Sequence, residues 1–313
     1  SGIPGESGER LGRAAVQGAR LLQRHELRAV VCEARTEGAA TFLTLQGRVH
    51  PPEDDAPGLT EEIGTFEYWL LDSAEKREKY GIPPIDHAVY THKNGQAIRA
   101  YAIAYEATGK IEYLQIAKRA ANSLIESRMQ SAGWILQSSS SDTTQADKRM
   151  RPLIADDKPK LAAQAWFGSA LLSLFRISAE EVWLQSAVKL ADSMLVQLYD
   201  KKGGGFYSTV IDDTASIIPP RKPLELNARA AHFFYDLWIY TKNDAYAKIP
   251  EATLRAVAVK DILAREGKIT GETAMALEKL TAAYVEFSIV GDESDATSTA
   301  LFAAGREAYH PRK

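Results

Sequence analysis

GGGFYSTVIDDTASIIPPRKPLELNARAAHFFYDLWIYT, residues 203–241, joins a glycine turn, an aromatic pair, an irregular loop, a basic-proline step and an apolar segment. Pro223 sets φ just before Leu224 and Glu225, and no further proline follows until Pro250, so a helix is free to start there and run on. From Asn227, the residues Ala230, Ala231, Phe234, Leu237, Trp238 and Thr241 recur at helical spacing, with Asp236 and Lys242 on the polar side. The loop before this helix carries Tyr207, Asp212, Asp213, Arg221 and Lys222. It is too polar to be core and too aromatic to be a plain linker.

Working outward, the same pattern returns elsewhere. Asn94, Ala97, Tyr105, Thr108, Tyr113, Leu114, Ala117 and Ala121 are followed 70 residues later by Trp183, Leu184, Ala187 and Ala191 (183 − 113), and 133 residues after the first copy by Asn227, Ala230, Trp238, Thr241 and Tyr246 (227 − 94). In each copy a small-residue helix ends in a short turn and an aromatic leads into a second helix. Each unit therefore reads as a helical hairpin, and repeated hairpins must stack to bury their faces. Gly133–Pro152 and Asp200–Lys222 are long, polar connections between hairpins. Alanine- and aromatic-rich first helices suit an inner ring packed on both sides, and the long loops fall at one end, like the rim of a funnel. The fold expected is mainly α: an α/α toroid, an (α/α)6-like barrel, with an open solenoid as the other arrangement of the same hairpins.

The two ends of the chain read differently. Residues 1–57 suggest a small mixed appendage: a short helix at Ala14–Gln23, then β-prone runs at Leu27–Cys32 and Ala40–Leu45 separated by Arg35–Gly38. The proline-rich, acidic stretch Gly47–Gly58 marks a boundary, so the toroid domain is expected over residues 58–313. Its first helix should run from Thr60 to about Tyr80. Near the end, Val285–Val290 followed by Gly291-Asp292 and a helix from about Ala296 to Tyr309 reads as strand–turn–helix.

Composition excludes several classes of function. Net charge is −3 over 313 residues with both signs interspersed, which argues against nucleic-acid or membrane-surface partners. Cys32 is the only cysteine, so neither a disulfide framework nor a CxxC redox or zinc site can form within the chain. No apolar run approaches the roughly 18–20 residues of a membrane span. The first residues show no signal-peptide apolar region, and a soluble, reducing setting such as the cytoplasm is expected. Phosphate-binding loops of the GxGxxG or GxxxxGK[ST] type are absent, as is a GxSxG nucleophile elbow, and no cofactor or metal is expected.

The segments RPLIADDK (151–158), GGGFYST (203–209), RKPLELNARAA (221–231) and IVGDESDATSTAL (289–301) together resemble the C-terminal half of the spermatogenesis-associated thioredoxin-like proteins and their bacterial relatives. The similarity covers roughly Tyr90 to Lys313. It implies a toroid akin to N-acylglucosamine 2-epimerases and several glycosidase families, coupled in the family to a thioredoxin-like domain. Two departures stand out. Cys32 alone cannot supply that domain's cysteine pair, so residues 27–49 are at most its remnant. The family's acidic pair is closely followed by Trp-Asn, whereas here Trp166 comes later and Phe167 stands where the asparagine would be.

The candidate site follows from what precedes each inner helix: His92-Lys93-Asn94, Asp156-Asp157-Lys158 and Arg221 to Asn227. In a toroid these helix ends converge on one pocket. Sugar-processing sites use carboxylates as acid and base, with aromatics stacked on pyranose faces. Asp156, Asp157 and Glu225 are the candidate catalytic carboxylates. His92, Asn94, Trp134, Arg151, Trp166, Tyr207, Arg221 and Asn227 are the candidate substrate contacts. A second reading stays open for several of them: Asp157 and Glu225 suit helix N-termini in their own right, and the matched Asn94 and Asn227 suit a shared structural task. His232, inside the helix, reads as a buried structural histidine. The function expected is carbohydrate-related, a glycoside hydrolase or sugar epimerase. The alternative is a non-catalytic toroid that binds a peptide or protein partner after losing its redox domain.

Overall fold

The computed structural model describes residues 31–37, 40–46, 73, 75, 89–138, 158–211, 221–267, 270–283, 289, 291 and 295–307. A β-hairpin pairs β1 (Val31–Glu37) with β2 (Ala40–Gln46) antiparallel, from Val31 opposite Gln46 to Glu37 opposite Ala40. The first strand thus continues through Arg35, Thr36 and Glu37, which the sequence reading placed in the turn. Thr36 opposite Thr41 and Arg35 opposite Phe42 are pairs that a strand accommodates readily. The expected helices at 14–23 and 60–80 lie outside the described residues, apart from Ser73 and Glu75. So does the expected strand at 285–290, apart from Ile289.

Three hairpins follow: α1 (Thr91–Thr108) with α2 (Ile111–Arg128), α3 (Leu161–Ser178) with α4 (Glu181–Gln197), and α5 (Leu224–Thr241) with α6 (Asp244–Ala247) and α7 (Ile249–Val257). Helices α8 (Lys260–Glu266), α9 (Gly271–Thr281) and α10 (Ala296–Glu307) complete the described elements. The first helices α1, α3 and α5 pack side by side, α9 continues the row beyond α5, and α10 lies against α1. The partners α2, α4 and α7 pack outside them, giving the α/α-toroid architecture. Pro250 sits in the first turn of α7, where its missing N–H costs no helical bond.

Each inner helix has 18 residues, and each is followed by one residue in the left-handed region: Gly109 (φ 68°), Ala179 (φ 53°) and Lys242 (φ 51°). Their N–H groups return to the carbonyls of Tyr105, Phe175 and Trp238, ending the helix and turning the chain into the outer one. The repeat is therefore one of backbone geometry as well as of sequence. Central α3 is Ala- and Leu-rich and buries 12 of its 18 residues, as expected of a helix enclosed on most sides. Small residues set the spacing. A Cβ at Gly95 would meet the Trp166 carbonyl carbon at 2.8 Å, and one at Gly168 would meet the Phe233 ring at 2.6 Å.

The loops leaving the outer helices are fixed by buried amides. Gln164 of α3 donates to Ile135 O (2.6 Å) and accepts from Ile135 N (2.9 Å). Asn227 of α5 accepts from Phe206 N (2.6 Å) and donates to Phe206 O (3.0 Å) and Pro223 O (2.9 Å). Each clamp thus holds the loop of the preceding hairpin and drives its apolar residue into the core. Phe206 stacks on Phe234, with ring centroids 5.3 Å apart. The same loops approach the next outer helix through glycines. A Cβ at Gly133 would lie 2.7 Å from Lys189 O, and one at Gly204 the same distance from Ala252 O. Both glycines also have positive φ, which only glycine adopts without strain.

Candidate functional site

Because the three inner helices share a register, residues at equal offsets face the same way. On α5, Asn227, Ala231 and Phe234 face the outer elements, so Glu225, Arg229, His232 and Asp236, spaced i, i+4, i+7 and i+11, form a stripe on the opposite side. The equivalent stripe on α3 is Ala162, Trp166, Ser169 and Ser173. On α1 it is His92, Gln96, Arg99 and Ile103. Glu272 and Lys279 of α9 complete this inner wall.

The wall carries charge where an ordinary core would carry none. Arg229 is only 3% exposed, pairs with Glu272 and places its guanidinium 4.2 Å from the centre of the Trp166 ring. Lys279 pairs with Asp236, and Arg176 pairs with Glu106 at 2.5 Å. Beside Arg229, His232 Nε2 stands 3.5 Å from Glu272 Oε1. Burial pushes the imidazole pKa down to about 3, and the positive charges of Arg229, Lys279 and Arg99 push in the same direction. His232 is therefore neutral at physiological pH. Burial also lowers Arg229 to about 10, with Arg99 adding to the shift; it remains a cation.

Four buried polar atoms of α5 and α9, Arg229 Nε, His232 Nε2, Thr273 Oγ1 and (its ion pair aside) Glu272 Oε1, make no hydrogen bond. Gln137 Oε1 and Thr253 Oγ1 share that condition elsewhere among the described residues. A buried polar atom left unbonded costs about 1–3 kcal/mol. Concentrating such atoms beside an aromatic ring and an ion pair is how a surface prepared for a polar ligand is built.

The sequence-predicted residues fall into groups. Glu225 is exposed in the first turn of α5, one turn before Arg229, and Trp166 lies on the α3 stripe. His92 begins the α1 stripe and contacts Gln137 through Nδ1. Tyr207 donates to Asp200 Oδ2 (3.2 Å) beneath Lys222, whose Nζ lies 4.9 Å from the ring centroid. Asp200 also receives Lys222 Nζ at 2.7 Å and two backbone N–H groups, and these bonds hold its carboxyl far below the usual range. Arg221 is exposed, its carbonyl accepting from Ser208 N. Trp134 is half-buried in the loop after α2. Asn94 donates to Tyr90 O (3.0 Å), and Asn227 makes the loop clamp, so both amides are engaged by main chain. Arg151, Asp156 and Asp157 lie outside the described residues.

The sequence reading passed over Arg99, Arg229 and Glu272. A signal existed for Arg229: a lone arginine between alanines in an otherwise apolar stretch, three residues before His232. Glu272 had none, because its partner lies on another helix. Among the described residues, no group of three His, Cys, Asp or Glu side chains is placed to hold a metal, and no helix is long and apolar enough to cross a membrane.

The sequence matches no protein-family model and no curated protein. Solved structures do resemble it. The cellobiose 2-epimerase of Spirochaeta thermophila aligns with 80% of this chain and 55% of its own, at 14% identity and a TM-score of 0.52. A family GH76 α-mannanase of Bacteroides thetaiotaomicron aligns with 72% of this chain and 57% of its own (14% identity, TM-score 0.48). A D-mannose isomerase aligns over 57% and 48% (19% identity, TM-score 0.46). The chain spans about half the length of the solved structures it matches. Of these three, the likeness to the epimerase is close enough to bear on architecture, and what the chain shares with it is the α/α-toroid fold.

Proposed function

We propose that the chain binds and processes a sugar at the inner wall, as a glycoside hydrolase or a sugar epimerase working through carboxylate acid–base chemistry. The observation that carries this reading is the Trp166–Arg229–Glu272 cluster with its unbonded buried polar atoms. A pyranose offers an apolar face for an aromatic ring and a rim of hydroxyls for such atoms. Both reactions need a group to give a proton and a group to take one. His232, with its pKa down at about 3, is too weak a base for that task at neutral pH. It serves better as a neutral hydrogen-bonding group, which leaves proton transfer to Asp156, Asp157 and Glu225. His92, Trp134, Arg151, Tyr207 and Arg221 would meet the sugar near the mouth, while Asn94 and Asn227 would hold the helix entries that carry them. The sequence resemblance supports a finer proposal, that the chain corresponds to the toroid half of the spermatogenesis-associated thioredoxin-like family.

The test is a thermal-shift screen of the chain against mono- and oligosaccharides, repeated on an Asp156→Asn, Glu225→Gln double variant, with NMR of each stabilising sugar to detect hydrolysis or epimerisation. Binding to the folded state alone raises the apparent Tm. The expected result is a sugar that stabilises the wild type and is turned over by it, with turnover lost in the variant. A chain that no sugar stabilises and that turns none over would sink the reading.

A further inference from the structure

The charges on the inner wall do not balance. Each described carboxylate on the wall below the mouth is already paired: Glu106 with Arg176, Asp236 with Lys279 and Glu272 with Arg229. Arg99 is left over. It makes no ion pair or hydrogen bond among the described residues, and it sits one turn beyond Gly95, whose Cα packs directly on the Trp166 backbone. Arg229 reaches the same tryptophan from α5, over its ring, with Nε buried and unbonded. The charge of Arg99 is felt by both Arg229 and His232, so two guanidinium groups share the wall beside Trp166, the first without a counter-charge among the described residues and the second with a free donor. The neutral His232 Nε2 lies beside Glu272 and is likewise unbonded. Among the described residues, Glu225 is an unpaired carboxylate one turn before Arg229 on α5, but it is exposed, where solvent screens it.

We propose that the ligand of this wall is an acidic saccharide, whose oxyanion is held by Arg99 and Arg229 while its sugar ring lies against Trp166. The inference rests on the carbohydrate reading above and narrows it from sugars in general to anionic ones. The shared chemistry is an oxyanion within one ring's reach of a pyranose face. A carboxylate (a uronic acid) and a phosphate ester both provide it. Guanidinium suits both, since its N–H fork matches two oxygens at once. Such an ion would also offset the mutual repulsion of Arg99 and Arg229 and give Arg229 Nε an acceptor.

The experiment compares matched pairs by isothermal titration on the intact chain: glucose with glucuronate, glucose with glucose 6-phosphate, and a neutral disaccharide with its uronate-containing counterpart. Inorganic phosphate alone is the control for an ion bound without sugar. The acidic member of at least one pair should bind about tenfold more tightly, the scale of one added hydrogen bond to a charged group. That preference should shrink at high salt. Which pair responds separates carboxylate from phosphate. Arg99→Gln should bring the acidic sugar down to the affinity of the neutral one, and Arg99→Lys should restore part of the difference, a rescue that a merely structural role would not produce. Equal binding of both members by the wild type, or a preference that survives Arg99→Gln, overturns the inference while the carbohydrate reading stands. Inorganic phosphate binding as tightly as the acidic sugar also overturns it. Failure of every sugar to bind overturns both.

Discussion

Asn227 and Arg229 stand two residues apart on the same helix, both polar and both buried, yet they do opposite things. Asn227 faces outward and is saturated: its amide bonds Phe206 N, Phe206 O and Pro223 O. Arg229 faces inward, pairs with Glu272 and leaves Nε unbonded. Burial alone therefore does not separate a polar group whose partners are all supplied from one left partly unbonded. What separates them is whether the protein itself supplies every partner. The outward side of the inner helices is finished by the fold, and the inward side is left incomplete.

The largest effect should come from breaking the finished side. Asn227→Ala removes three hydrogen bonds and strands the buried N–H and C=O of Phe206, which should cost about 3–4 kcal/mol in equilibrium denaturation. A cost below about 1 kcal/mol would show that the clamp is not what fixes this loop.

An intermediate effect is expected on acidification. His232 has a folded pKa near 3 against about 6.5 when unfolded. Between those values the unfolded chain binds a proton that the folded chain does not. Stability is full above about pH 6.5 and falls as pH drops toward 3, by at most about 1.4 kcal/mol per unit from this group. Asp200 also loses its stabilising ionisation in acid, but below the ordinary carboxylate range, so measurements between pH 6 and 4.5 isolate the histidine. His232→Gln should flatten the profile there. An unchanged slope would place the imidazole in contact with solvent.

The smallest effect on stability, and the one that sharpens the contrast most, concerns the ion pair. Replacing both partners, Arg229→Met with Glu272→Leu, should change stability by less than about 1 kcal/mol, because a buried pair returns little beyond the cost of its desolvation. Saccharide response should nevertheless vanish. A large loss of stability would show that the pair is there for the fold.

The same contrast explains what the sequence made legible. The hairpin repeat was readable because apolar spacing and turn chemistry are local, and Asn94 and Asn227 marked two of its registers. The third register was hidden because Gln164, 70 residues after Asn94, does the clamping with a longer side chain. Trp166 and Glu225 were picked out as site candidates by residue type and by their place near helix entries. Arg99 and Glu272 were not, since their meaning depends on which helices become neighbours, a long-range property that no window of sequence contains. The β1 boundary was misplaced for a related reason: cross-strand pairing with Thr41 and Phe42 overrode the turn character of Arg35–Gly38.

The loop clamps also bear on how the protein comes off the ribosome. Gln164 reaches back to Ile135, and Asn227 to Phe206, so each hairpin is locked only by the inner helix synthesised after it. The most recently made unit of a nascent chain would always trail an unfastened loop, with Ile135 or Phe206 not yet seated. At synthesis rates of about 5–20 residues per second, the 63 residues that separate the start of α3 from the start of α5 correspond to several seconds of exposure per unit. Assembly would then advance from the N-terminus like a row of hooks, each closed by the next.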